Sequence, residues 1–201
     1  MPQTALVDLP LLAWRREVAA IYAGVRSATN PLQGHGLWRQ RRDALFQSSP
    51  VSPLTADSPL RAGGLPVADY DPAWRITAPL EPAEPQRRDA GEAALERIGR
   101  LRTPWGSLDA WWVAGYAGGL FVPVRDRSAG RTSYGGGRYL LDTAKGADLG
   151  GSPAGLVLDL NFRYHPSCRY DGAWACPLAP EGNVLDVDVP VGEQLTDDMA
   201  P

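Results

Sequence analysis

The stretch FVPVRDRSAGRTSYGGGRYLLD, residues 121–142, decides the fold. Two runs of apolar and β-favouring residues flank a short Ser-Ala-Gly connection, and so short a link joins antiparallel neighbours. The spacing predicts strands over 120–125 and 131–141. Upstream, runs at 95–101 and 108–114 are joined by Thr-Pro-Trp-Gly-Ser, which predicts a second antiparallel pair. Downstream, a strand is expected over 156–162 and another over 184–191. In the latter, Leu185, Val187, Val189 and Val191 alternate with Asp186 and Asp188 at period two. Residues 48–85 are dominated by Pro, Ala and Gly, with one short strand expected in Ala-Trp-Arg-Ile-Thr-Ala at 73–78, and read mostly as wrapping loop.

The first 47 residues follow a different period. Asp8 can cap a helix starting near Leu9, with Pro10 tolerated in the first turn. Leu11, Trp14, Val18, Ile21, Tyr22 and Val25 form one apolar stripe, which Asn30-Pro31 ends. A second helix is expected over 35–46, with Leu37, Trp38, Arg41 and Leu45 on one side, and its arginines read as a solvated face. The fold class is therefore mainly β: an antiparallel barrel-like or sandwich β domain with an N-terminal helical hairpin. It divides into a hairpin over 1–47 packed on the body, a wrapping segment over 48–91 and a β domain over 92–201. Trp14 and Trp38 must be buried somewhere, so a homodimer through these helices is the rival arrangement.

Length and charge narrow the partners. A chain of 201 residues can bury a sizeable core. A formal charge of -3 gives no basic footprint, so nucleic acid is not an expected partner. The start of the chain has neither a basic leader nor a sustained apolar run, which points to a cytoplasmic protein with no membrane partner. In a reducing compartment the two cysteines are expected as packed thiols, with a disulfide as the alternative.

Arg125-Asp126, Tyr134-Gly-Gly-Gly-Arg138-Tyr139 and the later stretch LDLNFRYHPSCRYDGAWACPLAPEGN at 158–183 resemble a bacterial and archaeal family, domain of unknown function 1684. That family's pattern runs Arg-Asp-x-Thr-x-Gly-x-x-Thr-Tyr-x-x-Gly-Arg-Tyr-Leu, then Asp-Phe-Asn-x-x-Tyr-Asn-Pro-Pro-Cys, Cys-Pro-Leu-Pro-Pro and a Glu-Asn pair. Here Ser128 and Ser133 replace the two threonines, and His165 and Ser167 replace Asn and the second Pro. Gly182 stands where the Glu of the Glu-Asn pair falls, with Glu181 beside it and Asn183 retained. The resemblance implies motif positions and no activity.

Several of these residues could carry chemistry. On a strand, Tyr134, Gly136 and Arg138 would share a face, and arginine forks at Arg125 and Arg138 beside side-chain-free glycines could hold an anion. The structural alternative is a β-bulge with an Arg-Asp pair. Asp159 would share a face with Asn161; turned inward it is a candidate base, turned outward it is solvated. Tyr134 and Tyr164 complete the acid and positioning candidates. Cys168, activated by His165 with Arg163 or Arg169 nearby, is a candidate nucleophile. His165, Cys168 and Cys176 with His35 are a weak metal set, since no close Cys pair is present. Trp105, Trp111, Trp112 and Trp174 either wall a pocket or fill the core.

The leading expectation is a small-molecule-binding β-barrel-like protein, an enzyme acting on a polar or anionic metabolite without a cofactor. Asp159, Tyr134, Tyr164 and Cys168 would be its catalytic candidates, with Arg125, Arg138, Asn161 and Asn183 binding substrate. The alternatives are a non-catalytic ligand-binding or interaction module, and a metal-dependent enzyme using His165, Cys168 and Cys176.

Overall fold

The computed structural model describes residues 9–91 and 93–196, so Asp8, expected to cap the first helix, lies outside the described residues. Helix α1 spans Leu9–Ser27 and buries Ile21 and Tyr22 from its apolar stripe. Helix α2 spans Pro31–Ser48 and starts earlier than expected, for a local reason. The Asn30 carboxamide accepts from the Gln33 N–H at 2.9 Å, and Pro31 occupies a first-turn position where no N–H is needed. The Asn-Pro pair thus ends one helix and starts the next. The solvated arginine face is also corrected. Arg41 pairs with Glu17 of α1 at 2.6 Å, while Arg42 is buried with His35, Trp38 and Phe46.

After one more helical turn, α3 (Leu60–Gly63), the chain is strand and loop. Its strands are β1 (Arg75–Ala78), β2 (Leu80–Glu81), β3 (Arg87–Ala90), β4 (Ala93–Thr103), β5 (Gly106–Ala114), β6 (Gly119–Asp126), β7 (Arg138–Asp142), β8 (Gly151–Ser152), β9 (Gly155–Asp159) and β10 (Val184–Leu185). β4, β5 and β6 form an antiparallel meander, with β2 and β3 paired to β4 and β7 paired to β6. β10 runs parallel to the end of β6, so this seven-stranded sheet is mixed. A smaller antiparallel sheet has the order β1-β9-β8. Among the described residues the sheets do not close into a barrel, and the arrangement is sandwich-like with two N-terminal helices. No described helix is long and apolar enough to cross a membrane.

Three expected strands change in extent. Over 131–141 only Arg138 onward is strand, because the Ser128 carbonyl accepts from the N–H groups of Arg131, Thr132 and Ser133 at 3.0, 3.0 and 3.1 Å. Gly130 and Gly137, at φ 78° and 90°, complete these turns. Tyr134 therefore does not share a strand face with Arg138. Over 156–162 the strand stops at Asp159, whose carboxylate caps a 3-10 turn by accepting the Asn161 N–H at 3.2 Å. Over 184–191 the strand is only Val184–Leu185, yet burial alternates as expected: Leu185, Val189 and Val191 are inside. Asp186 pairs with Arg127 at 2.8 Å and Asp188 pairs with Arg131 outside.

The main core joins the two helices to both sheets. Ile21, Tyr22 and Trp38 of the helices pack in the same cluster as Leu101, Leu108, Val122, Val124, Leu140, Leu158, Leu185 and Val189. The hairpin is thus one wall of the core, and Trp38, with no exposed surface, is buried within the chain itself. Pro123 sits where β6 and β7 shift register, a position at which a missing N–H breaks no ladder bond.

Candidate functional site

At the end of β6, Asp126 is gripped by two buried arginines. Arg163 Nη1 reaches its Oδ2 at 2.6 Å and Arg138 Nη2 reaches the same atom at 2.7 Å. These guanidinium groups hold the carboxyl well below the usual carboxylate range, against the desolvation that raises it. The arginines spend their other donors on main-chain carbonyls of the last segment. Arg138 Nη1 donates to Val191 and Glu193 at 3.1 and 2.8 Å, and Arg163 Nη2 donates to Val189 and Val191 at 3.3 and 3.1 Å. The extended segment after β10 is therefore laddered by side chains rather than by a strand. Both terminal nitrogens of Arg138 are occupied, and only its Nε lacks a partner. The anion fork expected at Arg138 is instead a buried structural tie, as in the Arg-Asp alternative.

The Asp159 cluster is equally committed. Tyr70 Oη and Arg75 Nη1 reach Oδ2 at 3.2 and 3.4 Å, and Asn161 Nδ2 donates to Oδ1 at 2.8 Å. Burial raises the Asp159 carboxyl above its ordinary value, as expected of an inward-facing acid. Asn161 is clamped at both ends by the Asp71 main chain, at 2.9 Å each. Asn183 likewise accepts from Trp111 Nε1 and donates to the Asp109 carbonyl, both at 2.8 Å. Arg125 alternates with Asp126 along β6, so it is turned to the opposite face, away from Arg138.

A third cluster lies between α2 and the chain's last described segment. Glu193 has no exposed surface; Arg42 Nη2 donates to its Oε2 at 2.7 Å, Tyr170 Oη to its Oε1, and the His165 N–H to Oε2 at 3.0 Å. The Arg42 and His165 contacts hold this carboxyl far below its usual range although burial opposes them. His165 Nε2 accepts from the Tyr134 N–H at 3.2 Å, which puts its proton on Nδ1, 3.5 Å from Glu193 Oε1. Neither ring nitrogen is directed at Cys168.

The thiols form their own pair. The Cys168 N–H donates to Cys176 Sγ at 3.3 Å, and Tyr134 Oη lies 3.9 Å from Cys168 Sγ. Both cysteines are free, and burial, then the bond to Cys176, pushes the Cys168 thiol up to about 11. That is the opposite of an activated nucleophile. Arg163, considered as an activator, is spent on Asp126. His35 Nε2 donates to the Asn161 carbonyl at 3.2 Å, and the ring packs among Trp38, Tyr70 and Phe162. Among the described residues no three His, Cys, Asp or Glu side chains converge as metal ligands, so the four-residue set is not assembled.

The space in the molecule lies elsewhere. A cavity of about 190 Å³ opens between the helical hairpin, β7 and the loop after Tyr164. α1 contributes Trp14, Val18 and Tyr22, α2 contributes Trp38, Arg42 and Phe46, and the far wall includes Tyr139, Asp142 and Tyr164. Trp174 and Cys176 come from the covering loop, and Arg15 and Lys145 are exposed residues of the same lining. The Arg42 guanidinium sits 5.1 Å from the Trp38 ring, 4.7 Å from Phe46 and 5.3 Å from Tyr164, yet its Nη1 has no hydrogen-bond partner. Of the expected site residues, Tyr164 and Cys176 border this cavity; Tyr134, Arg138, Asp159, Asn161, Asn183 and Cys168 do not. Arg42 escaped the sequence reading, although Trp38, Arg42, Leu45 and Phe46 recur at helical spacing and place it on the apolar stripe.

No curated protein matches the chain. The solution NMR structure of an uncharacterized protein of Haloarcula marismortui is similar, at 29% identity over 78% of this chain and 90% of that one, with a TM-score of 0.56. The sequence profile described as protein of unknown function (DUF1684) matches residues 62–194. The chain belongs to that family of unknown function.

Proposed function

We propose that this protein binds a small molecule in the cavity beneath the helical hairpin, with the Asp126 and Asp159 clusters serving as rigid supports rather than as chemistry. The observation that carries this reading is an aromatic-walled space of about 190 Å³ beside a buried arginine with an unpartnered nitrogen. For scale, an apolar cavity of about 150 Å³ admits benzene. A few polar groups converging on an apolar pocket are the usual form of a ligand site. Of the four catalytic candidates read from the sequence only Tyr164 lines that space, and Asp159, Tyr134 and Cys168 do not, so binding is favoured over catalysis. A non-catalytic ligand-binding module thus takes the place of the enzyme reading.

A thermal-shift screen tests this, because a ligand that binds only the folded state raises the melting temperature. Apolar-bodied metabolites are compared with toluene as the simplest reference. Val18 lines the cavity, and Val18→Phe places a ring in it. The variant is expected to fold and to lose every ligand-induced shift. Shifts that survive the substitution locate the ligand elsewhere and overturn the proposal.

A further inference from the structure

We infer that the ligand is a small aromatic carboxylate, its ring held by the aromatic walls and its carboxylate received by Arg42 and Tyr22. This deepens, and rests on, the reading of the cavity as the binding site.

Size sets the body. The space exceeds the volume that admits benzene by little, so one ring with a short substituent fits and a long acyl chain does not. Trp14, Trp38, Phe46, Tyr139, Tyr164 and Trp174 supply the walls, and such rings favour an aromatic partner in tilted or edge contacts.

Charge sets the head group. The lining holds three cations, Arg15, Arg42 and Lys145, against one carboxylate, Asp142. Asp142 already faces Lys145 at 3.6 Å, which offsets its charge. Arg15 is tethered beside Lys145 by donating to the Ala144 carbonyl at 3.0 Å, so the exposed rim presents two cations. With Arg42 paired to Glu193 and Lys145 to Asp142, the cavity keeps one excess positive charge, which favours an anion over a cation.

Hydrogen bonding sets the chemistry of that head. Arg42 spends Nη2 on Glu193 and Tyr170 and leaves Nη1 without an acceptor. The Tyr22 hydroxyl accepts from Trp38 Nε1 at 3.2 Å, which leaves its own O–H as a donor, and burial keeps that phenol protonated. Both residues line the cavity from neighbouring helices, which makes them the donors for the two oxygens of a carboxylate. A neutral ring satisfies neither.

Calorimetric titration of the full chain with benzoate, toluene and benzylamine separates the claims. Benzoate is expected to bind about tenfold more tightly than toluene, as one charge-assisted hydrogen bond implies. Benzylamine is expected not to bind. Tyr22→Phe keeps the ring and removes the donor, so it should erase most of the benzoate advantage while leaving toluene unchanged, which also shows that the variant is folded. Equal affinity for toluene and benzoate, or tighter binding of benzylamine, overturns the carboxylate and leaves the cavity site standing. Binding of none of the three overturns both.

Discussion

Glu193 and Asp126 are buried carboxylates held ionised, the first by Arg42, the second by Arg138 and Arg163. His35 and His165 are buried and held neutral: desolvation lowers His35 to about 4 and pulls His165 down as well. These opposite arrangements give stability the same pH direction. A histidine whose folded pKa is depressed binds its proton better when unfolded, so stability falls as pH drops through its ordinary value of about 6.5 toward the folded value. A depressed carboxylate contributes stability above its ordinary value near 4 and loses it as pH falls further. Asp142 and Asp159, raised by burial, act in reverse and gain stability as pH falls through their folded values, so they oppose the loss near the lower limb. The expected melting profile therefore declines between pH 7 and 5 from the histidines alone, by at most about 1.4 kcal/mol per unit for each, and steepens below pH 4. His35→Gln should remove part of the upper limb. A profile between pH 7 and 5 that is the same with and without His35→Gln would rule out a neutral buried His35.

Runs of β-favouring residues between turn signals revealed β4, β5 and β6, and in β5 and β6 four consecutive residues are buried. Periodicity misjudged elements whose partners are side chains. Residues 184–191 alternate in burial like a strand, but after Leu185 their carbonyls are met by Arg138 and Arg163, and no pattern in that segment encodes distant arginines. Over 131–141, serine and glycine turn chemistry outweighed the β-favouring residues. Register in the smaller sheet depends on one close approach. β9 pairs with β1 through Leu156 and Ala78, and Gly155 has φ 140°. A Cβ there would lie 2.1 Å from the Ala78 carbonyl oxygen, so neither chain can keep its place. Gly155→Ala is expected to cost roughly 2 to 4 kcal/mol, from backbone strain plus the clash. Gly172→Ala is the control, since an added Cβ there meets nothing within 4 Å, and it should change stability by less than about 0.5 kcal/mol. Urea unfolding of the two variants measures the difference; equal midpoints would mean that the β1-β9 edge yields without cost.

The cavity was illegible in the sequence because its walls come from three separated parts of the chain: the hairpin with the following loop, β7 with its extension, and the loop after Tyr164. The motif clusters drew attention to residues that instead fasten the molecule together. The same geography makes a claim about the whole molecule. The family profile begins at residue 62, yet Ile21, Tyr22 and Trp38 sit in the main core, and Arg42 is the charged partner of Glu193. A chain lacking residues 1–48 would expose the apolar side of β7 to water and leave Glu193 buried without its arginine. Removing one partner of a buried pair costs about 3 to 5 kcal/mol, a large share of a typical domain's stability, before any lost apolar contact is counted. The truncated chain is therefore expected to keep far-UV signal from its strands, lose near-UV dichroism and bind a hydrophobic dye, the marks of a loosened core. Restoring the hairpin as a separate peptide should recover the near-UV spectrum in proportion to occupancy, since the peptide binds only the ordered state. A sharp thermal transition with native near-UV dichroism in the truncated chain would show instead that the β region is complete by itself, and the cavity would then be a crevice beneath an appendage.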